Sequence, residues 1–384
     1  MTGNERGVLF VVGAFEEHGG LQRRMGRLAG LLARDRPVTV LTWSGRRRPL
    51  IYRRAEGVRV LTLPSLWTWD REFRPPAGQL NSVLSILGGV GAALKVRRSW
   101  SVAYASGLDP EGLVAALAAS ALGRRFVLDT WLPGERGNVA RLERSPFRRP
   151  VKRVLRRATA VIGGTEEVAN ELLACGFPAS GVRVVRQGVP LDEFVPSSEA
   201  VRAAARKQLG LPRDVGLVTY HGRFDLTQKR LDVLLDAWRL ADLDGWRLLL
   251  VGEGPGRAEL ERRCLGLPSV QPLLGWQEDV RPVLAAADLF VLPTEAEANG
   301  NAMIEAMGCG LTGIVSATLA YRRLEPPGIE LVSNDPQAWA GALRRLAGDP
   351  AGRALRGKRA REWVEENYDI EQTVATLESI IETR

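Results

Sequence analysis

The chain has 384 residues, of which 45% are hydrophobic and 25% are charged. This balance is normal for a globular protein and excludes disordered and fibrous classes, and the length predicts two domains, or three. The three cysteines lie far apart in the sequence and fit no metal or disulfide spacing. Because the chain has only two histidines, a histidine-based zinc or di-iron site is excluded. The formal net charge of +9 indicates an anionic partner.

The positive charge is unevenly distributed along the sequence. Residues 1–190 contain 30 Lys and Arg against 15 Asp and Glu, whereas residues 191–384 contain 23 against 29. The first part therefore has a net charge of +15 and the second a net charge of −6. This asymmetry indicates two halves with different roles. Compositional drift toward arginine in a GC-rich genome is the alternative explanation.

Short runs of β-branched residues alternate with helical patterns along the whole chain. The predicted strands are 8–13, 38–42, 58–63, 102–105, 126–129, 159–163, 216–220, 247–251 and 289–292. The predicted helices are 20–34, 79–96, 110–122, 147–157, 229–240, 256–264, 280–286, 351–366 and 370–383. This alternation predicts an α/β fold with parallel sheets that helices cover on both faces.

A stretch rich in Pro, Gly and Ser, 186–199, interrupts the alternation and marks the predicted linker between two doubly wound domains. Ligands of such sheets bind outside the carboxyl ends of the strands, which here face the cleft between the domains. No run of about 18 apolar residues is present, so no transmembrane helix is expected. The apolar segment 8–15 lacks a small-residue cleavage site, which predicts a buried strand and a cytoplasmic protein.

The strongest candidate site is the segment 293–316, in which a strand is followed by a loop and by a helix that begins near Ala302. Free N–H groups at a helix start attract phosphate, and Gly300 allows the backbone to approach a ligand closely. Glu297 and Glu305 frame this position. They make chemical sense if each accepts hydrogen bonds from sugar hydroxyls on one side of a diphosphate. The alternative is an acidic helix start that complements the helix dipole.

A second candidate is the pair Arg223 and Lys229, which flank the loop after strand 216–220. Two cations at the carboxyl end of a strand suit a departing phosphate group, and two solvated surface cations are the alternative. The glycines of Gly19-Gly20 and of the loop at Gly252 also follow predicted strands. The paired glycines of Gly19-Gly20 permit a tight turn and close approach of a ligand to the backbone. The loop at Gly252 lacks the spacing of a dinucleotide-binding fingerprint.

By their type and their order along the chain, the motifs resemble those of retaining glycosyltransferases of family 4, also called group 1, which have the GT-B fold. The pair Glu297-x7-Glu305 resembles the E-x7-E signature of that family, and Arg223 and Lys229 resemble its diphosphate-binding cations. The glycines Gly19-Gly20 resemble its N-terminal glycine loop, and the segment 187–189 resembles its linker. The resemblance extends over nearly the whole chain.

The resemblance implies a GT-B fold, which consists of two Rossmann-like doubly wound domains that face a cleft. It implies an acceptor-binding domain at 1–188 and a nucleotide-sugar-binding domain at 189–367. The last helix, 368–384, is expected to pack back on the first domain, as in relatives.

The resemblance also implies a role for each matching residue. Glu305 is expected to bind the ribose hydroxyls of a nucleotide, and Glu297 to hold hydroxyls of the donor sugar. Arg223 and Lys229 are expected to stabilise the departing nucleoside diphosphate. The other implied donor-binding residues are Gly19, Gly20, Gly252, Gly275, Trp276, Asn299, Gly300, Asn301 and Ala302.

The predicted acceptor side departs from the family pattern, because many relatives have a His in the segment that aligns with 129–131. This chain has no His there, and the segment instead resembles a subgroup with Asp and Trp-Pro. The acceptor-side candidates are therefore Asp129, Trp131 and His18.

The implied reaction moves a hexosyl unit from a UDP- or GDP-sugar to a hydroxyl of a lipid-linked, polysaccharide or other envelope acceptor, with retention. No metal or other cofactor is expected, because Arg223 and Lys229 neutralise the diphosphate. The pair Asp242-x-Asp244 matches the metal-binding D-x-D pattern, but it follows a helix in an acidic surface stretch. A nucleotide-sugar epimerase or a phosphorylase on the same fold is the alternative.

The surplus of arginine suggests two further partners. Arginine pairs are scattered over many elements, whereas nucleic-acid modules gather them on one platform, so a nucleic-acid partner is not expected. An anionic membrane surface fits better, because it attracts nearby cations and because the aromatic stretch 67–73 could anchor at an interface. A peripheral enzyme on the inner face of the cell membrane is therefore expected, with a solvated basic surface as the alternative.

Overall fold

The computed structural model of the chain divides into two compact units. Unit 1 comprises Met1–Val185 and Thr373–Arg384, and unit 2 comprises Arg186–Gln372. The boundaries expected from the sequence are residues 188 and 368. The residues that the structure describes are 7–13, 15, 20–44, 51–55, 57–64, 77–135, 137–271, 275–297 and 300–383.

Unit 1 contains an eight-stranded sheet in the order β3-β4-β2-β1-β5-β6-β7-β8 among the described residues. Its strands are β1 Val8–Val12, β2 Val38–Ser44, β3 Ile51–Ala55, β4 Val58–Pro64, β5 Val102–Ser106, β6 Arg125–Thr130, β7 Ala160–Gly163 and β8 Val182–Val184. All neighbouring pairs are parallel except β3 and β4, which are antiparallel. The antiparallel edge strand was not predicted, because its arginine-rich sequence lacks the apolar run of a central strand.

Both faces of the sheet in unit 1 are buried under helices. In β1, Leu9 and Val11 belong to one apolar cluster, whereas Val8, Phe10 and Val12 belong to another. This alternation follows from the two-residue period of a strand. The helices of the first part of the chain are α1 Gly20–Leu32, α2 Ala77–Lys95, α3 Glu111–Ala121, α4 Asn138–Arg144, α5 Arg148–Leu155 and α6 Glu166–Ala174.

Unit 2 contains a parallel sheet in the order β10-β9-β11-β12-β13. Its strands are β9 Gly216–His221, β10 Trp246–Val251, β11 Leu289–Leu292, β12 Gly313–Ser316 and β13 Ile329–Val332. The remaining helices are α7 Glu199–Gln208, α8 Leu226–Lys229, α9 Leu231–Ala241, α10 Arg257–Cys264, α11 Arg281–Ala286, α12 Asn301–Gly308, α13 Leu319–Leu324, α14 Pro336–Gly348, α15 Pro350–Asn367 and α16 Ile370–Glu382. The predicted pair of Rossmann-like α/β domains is confirmed. None of the helices in the described ranges is long and apolar enough to cross a membrane.

Helix α16 contributes to the core of unit 1. Val374, Leu377 and Ile381 are buried in the same apolar cluster as helix α1. The guanidinium of Arg36 lies 2.8 Å from the carboxylate of Glu382 and thereby ties the end of the helix to the unit. The end of the chain is therefore part of the N-terminal fold.

Strand order identifies one crevice in each sheet. In unit 1, the chain continues from β1 to one side and later returns to β5 on the other side, and in unit 2 the same reversal occurs between β9 and β11. Ligands of open α/β sheets bind at the carboxyl ends of the strands where the order reverses. The loops after β1, β5, β9 and β11 are therefore the expected binding loops.

Candidate functional site

The loop after β9 carries the two predicted cations of unit 2 and is held in a fixed shape. The side chain of Asp225 accepts hydrogen bonds from the backbone N–H groups of Thr227 and Gln228, each at 3.0 Å, and so caps α8. The Tyr220 hydroxyl donates to the carbonyl oxygen of Arg223 at 2.8 Å. Burial raises the pKa of Tyr220, so this hydroxyl keeps its proton and remains a donor.

A single helix was predicted from residue 229, but the structure has two. Helix α8 ends at Lys229, and Arg230 adopts a left-handed conformation with φ of 38° before α9 begins. The ion pair of Arg230 with Asp232 and the hydrogen bond from its Nη1 to Glu295 at 3.0 Å accompany this turn. The break places Lys229 at the end of the short helix α8, whereas the sequence predicted that a helix begins at this residue.

The loops after β9 and β10 touch each other through glycines. A Cβ atom on Gly252, where φ is +148°, would lie 1.9 Å from the carbonyl oxygen of Gly222. Hence only glycine fits at residue 252 without movement of the backbone. The predicted base-lining pair lies beyond this loop: a Cβ on Gly275 would lie 3.0 Å from the Glu253 carboxylate, and Trp276 is half-buried.

The loop after β11 is hydrogen-bonded to α8. The buried hydroxyl of Thr294 donates to the carbonyl oxygen of Gln228 at 3.1 Å, and the backbone N–H of Glu295 donates to the same oxygen at 2.7 Å. This arrangement joins the carboxylate of Glu297 to the ammonium of Lys229 in an ion pair. Both side chains are largely buried, so the pair is stronger than one in open solvent.

Helix α12 begins directly after this loop, at a glycine. Gly300 is left-handed, with φ of +59°, and a Cβ there would lie 1.9 Å from the Tyr321 hydroxyl. Asn301 and Ala302 form the first turn of the helix and are half-buried. The N–H groups at such a start have no partner within the helix and point toward its N-terminal end. The geometry therefore suits an anion or a hydroxyl oxygen.

The last predicted donor-site residue, Glu305, lies in the second turn of α12 and pairs with a histidine. The Nε2 atom of His221, at the end of β9, lies 3.1 Å from Oε2 of Glu305. The two residues are 5% and 7% exposed, respectively. The contact of His221 with Glu305 was not predicted, because the two residues are 84 positions apart in the sequence.

The structure thus brings four predicted side chains to one edge of the unit 2 sheet. Arg223 and Lys229 follow β9, and Glu297 and Glu305 follow β11, which is its neighbour. Cations that contact a diphosphate and carboxylates that accept hydrogen bonds from hydroxyl groups are the groups that a nucleotide sugar requires. The residues Asn299, His18 and Gly19 lie outside the described residues, and Gly20 is the first residue of α1.

On the acceptor side, Asp129 in β6 is completely buried and engaged by two other residues. Arg24 Nη2 lies 2.9 Å from Asp129 Oδ2, and the Tyr104 hydroxyl donates to the same oxygen. The Arg24 guanidinium also lies over the ring of Trp131, 3.1 Å from its centroid. Burial raises the pKa of Tyr104, so it stays a donor. Neither Arg24 nor Tyr104 was predicted as a site residue.

A second unpredicted group, Glu111, is the first residue of α3, directly after the loop that follows β5 at the crevice of the unit 1 sheet. The carboxyl of Glu111 is 6% exposed, and burial raises its pKa to about 7, against the charge of Arg141. Gly107, with φ of +126°, leaves room for this carboxyl, because a Cβ there would lie 3.1 Å from Glu111 Oε2. A buried carboxyl with a raised pKa, next to an expected binding loop, is a common feature of functional sites.

Within the described ranges, no group of three or more His, Cys, Asp or Glu side chains could hold a metal ion. The exposed residues Asp242 and Asp244 lie in the turn that precedes β10. This turn is at the amino end of the parallel sheet, whereas Arg223 and Glu297 lie at the carboxyl end. The D-x-D pattern is therefore on the opposite edge of unit 2 from the candidate site.

Two sequence-family profiles match the chain. The profile described as "Glycosyl transferase 4-like domain" matches residues 19–188, and the profile described as "Glycosyl transferases group 1" matches residues 216–349. The two matches cover both halves of the molecule, including the loops after β9 and β11.

Individual proteins are similar over part of the chain. D-inositol 3-phosphate glycosyltransferase of Saccharomonospora viridis is 32% identical over 231 residues, which are 55% of this chain and 52% of the relative. The GDP-mannose-dependent alpha-(1-6)-phosphatidylinositol dimannoside mannosyltransferase of Mycobacterium tuberculosis is 31% identical over 188 residues, 48% of each chain. The chain spans about half the length of the curated relatives it matches.

Among solved structures, Anabaena HepE in complex with UDP and glucose has a TM-score of 0.78 with this chain at 20% identity. The match covers 98% of this chain and 99% of HepE. At this level of identity the comparison demonstrates a shared fold.

Proposed function

Because the chain belongs to the family of group 1, family-4-like glycosyltransferases and has their GT-B fold, we propose that it transfers a hexosyl unit from a nucleotide-diphosphate sugar to an acceptor hydroxyl. The proposal rests mainly on one observation: two cations and two carboxylates lie at the carboxyl ends of the neighbouring strands β9 and β11. The donor is a UDP- or GDP-sugar. HepE is in complex with UDP and glucose, and the name of the mycobacterial relative specifies GDP-mannose.

The proposed reaction proceeds with retention at the anomeric carbon. The bond from that carbon to the diphosphate oxygen breaks, and the acceptor oxygen forms its new bond on the same face. The acceptor proton passes to the departing diphosphate, whose charge Arg223 and Lys229 stabilise as it develops. Glu297 orients the hydroxyls of the sugar, and Glu305 those of the ribose. Two cations neutralise the diphosphate without a metal ion.

The ion pair of Lys229 with Glu297 suggests how the site is prepared for the donor. Each partner keeps the other largely out of solvent and in place, so less ordering is required when the donor binds. On binding, the ammonium turns to the diphosphate and the carboxylate to sugar hydroxyls, and the two charges stay close. The N–H groups of Asn301 and Ala302, at the start of α12, complete the phosphate site, and Gly252, Gly275 and Trp276 line the base.

The acceptor is proposed to bind to unit 1, at the loops after β1, β5 and β6. Gly20 is the first residue of α1, and the predicted residues His18 and Gly19 directly precede it in the sequence. At the last of the three loops, Asp129 is already engaged by Arg24, so its role is to hold the loop that presents Trp131. The class of acceptor is a lipid-linked or envelope glycan, in line with the phosphatidylinositol mannoside in the name of the mycobacterial relative.

The decisive experiment is to incubate the protein with UDP-glucose, UDP-galactose, UDP-N-acetylglucosamine and GDP-mannose, and to measure the nucleotide released with and without lipid and glycan extracts. Transfer predicts release that depends on the acceptor and persists in EDTA, and NMR of the product reports the anomeric configuration. An epimerase would change the sugar without an acceptor, and a phosphorylase would require inorganic phosphate. No release from any donor would refute the proposal.

A second proposal concerns an anionic membrane surface, on which a cytoplasmic enzyme would meet a lipid-linked acceptor. Helix α5 and its flanks carry a basic surface, which consists of the exposed residues Phe147, Arg148, Arg149, Arg153, Arg156 and Arg157. Phe147 is 63% exposed, which is unusual for a large aromatic side chain. Cations near an anionic leaflet contribute about 1 kcal/mol each, and an aromatic ring fits the interface.

Vesicle sedimentation tests this surface. The protein is expected to sediment at low salt with vesicles that contain phosphatidylglycerol and not with pure phosphatidylcholine vesicles. The double variant Arg149→Ser/Arg153→Ser should lose most of this binding. The variant Lys358→Ser/Arg359→Ser, which removes the same charge from exposed positions of α15, should retain it. Equal loss in both variants would indicate a general charge effect and contradict a specific surface.

A further inference from the structure

We propose that His221 is a positioning residue for Glu305: its ring holds one carboxylate oxygen, so that the other oxygen faces the vicinal hydroxyls of the donor's ribose. This inference rests on the proposed function, because it assumes that Glu305 binds a ribose. It adds a residue for which the sequence provided no role. His221 itself is not proposed to touch the nucleotide.

The geometry fixes the histidine ring on two sides. His221 is the last residue of β9, and its Nε2 lies 3.1 Å from Glu305 Oε2 on α12. On the neighbouring strand β11, the ring of Phe290 packs at 5.4 Å between centroids, tilted by 54°. The backbone of a central strand and an adjacent aromatic ring therefore define where Nε2 points.

Glu305 depends on this one contact. In the described part of the chain, His221 is the single side chain that makes a hydrogen bond to the Glu305 carboxylate. Glu305 is 7% exposed, and a buried carboxylate requires a partner. Lys229, one of the two predicted cations of the site, is paired with Glu297. The imidazole N–H of His221, in its neutral or charged form, is therefore the group that holds the Glu305 carboxylate.

The consequence concerns the second carboxylate oxygen. A carboxylate has about four acceptor positions over its two oxygens, and His221 occupies one of those on Oε2. Oε1 remains for hydroxyl donors, and a vicinal diol supplies two of them. A glutamate whose orientation is already fixed loses less side-chain entropy on binding than a mobile one. His221 should therefore affect affinity only for ligands that possess ribose hydroxyls.

This restriction permits a chemical test with two ligands and two variants. The ligands are UDP and 2′,3′-dideoxy-UDP, with GDP and its dideoxy form as the second pair, and calorimetry measures each Kd. In His221→Leu, the affinity for UDP or GDP should fall by about tenfold, because a hydrogen bond to a charged group is lost. The affinity for the dideoxy ligand should stay within about twofold of wild type.

A conservative variant and a folding control complete the design. In His221→Gln, the amide nitrogen can occupy the position of Nε2, so affinity for the ribose-containing ligand should return to within about threefold of wild type. The unfolding midpoint of each variant shows whether β9 remains intact. Glu305→Gln should reduce the preference for the ribose-containing ligand in the same way as His221→Leu.

The possible outcomes distinguish a failure of the positioning role from a failure of the proposed function. If His221→Leu weakens both ligands equally, or weakens neither, the positioning role is wrong while the donor site stands. If His221→Gln behaves as His221→Leu although it folds, the role is also wrong. If the wild-type protein binds neither UDP nor GDP in either form, the proposed function and this inference both fail.

Discussion

Arg24 and Asp129 form a buried ion pair in unit 1, with Nη2 2.9 Å from Oδ2 and side chains that are 3% and 0% exposed. Tyr104 donates a second hydrogen bond to the same carboxylate oxygen, and Trp131 lies under the guanidinium. Asp129 was predicted as an acceptor-side residue from its resemblance to part of a family motif. In the structure its carboxylate holds α1, β5 and β6 together at the edge where the binding loops begin.

The first prediction concerns the removal of this pair's cation. Arg24→Met should lower the free energy of unfolding by about 3 to 5 kcal/mol, because it leaves the Asp129 carboxylate buried without its counter-charge. Urea unfolding followed by fluorescence measures the effect. Arg98→Met, at an exposed position, is the control and should change stability little. A loss below about 1 kcal/mol would mean that Asp129 is protonated or hydrated in the folded protein.

The role of Arg24 could not be predicted from the sequence. It is one of three arginines in the first turns of α1, and the period of apolar residues there predicts a helix without distinguishing a buried arginine from its neighbours. An arginine of α1 is buried only if it lies above the gap between Tyr104 and Asp129. That gap depends on the pairing of β5 with β6, and strand pairing is not encoded locally.

The candidate donor site was largely predictable, because its parts lie in loops directly after strands. The apolar strand and the helix start around Gly300 each leave a local signal, and sheet order then brings Glu297 near Lys229. The contact between His221 and Glu305 leaves no such signal. The left-handed Arg230 was also missed, because arginine rarely adopts this conformation and the sequence continues a helical pattern through it.

The second prediction is a pH dependence of stability that arises from Glu111. Its pKa is raised to about 7 in the folded protein by burial, whereas in the unfolded chain it is near 4.5. The folded state therefore binds more protons between these values, and the stability that this provides is complete below pH 4.5 and lost as pH rises through 7.

The variant Glu111→Gln removes this titration. Relative to wild type, it should be more stable at pH 8 than at pH 5, with a difference between the two conditions of up to about 3 kcal/mol. Thermal unfolding at both pH values gives the comparison. Glu135→Gln, at an exposed position of the same unit, should show no such difference. A Glu111→Gln profile parallel to wild type would contradict the raised pKa.

The third prediction concerns catalysis. Lys229→Ala should lower kcat by about 100-fold, because in the proposed mechanism it removes a cation that stabilises the departing diphosphate. Lys207→Ala, which removes an exposed lysine from α7 in the same unit, should leave kcat unchanged. Since Lys229→Ala also leaves Glu297 without its partner, the unfolding midpoint should be measured alongside. Unchanged turnover in Lys229→Ala would remove this residue from the mechanism.

The fourth prediction concerns the start of α12. Gly300→Ala should reduce kcat/KM by about 100-fold, because a Cβ would lie 1.9 Å from the Tyr321 hydroxyl and would displace the turn that is proposed to bind the donor. Tyr321→Phe alone should remain close to wild type, because that hydroxyl has no hydrogen-bond partner within the described ranges. The double variant Gly300→Ala/Tyr321→Phe should recover part of the activity, since the oxygen at 1.9 Å is gone. The ring carbon Cζ remains 3.0 Å from the new Cβ, and a left-handed alanine costs about 1 to 2 kcal/mol. A double variant as impaired as Gly300→Ala would show that the left-handed backbone, and not the hydroxyl contact, requires glycine at this position.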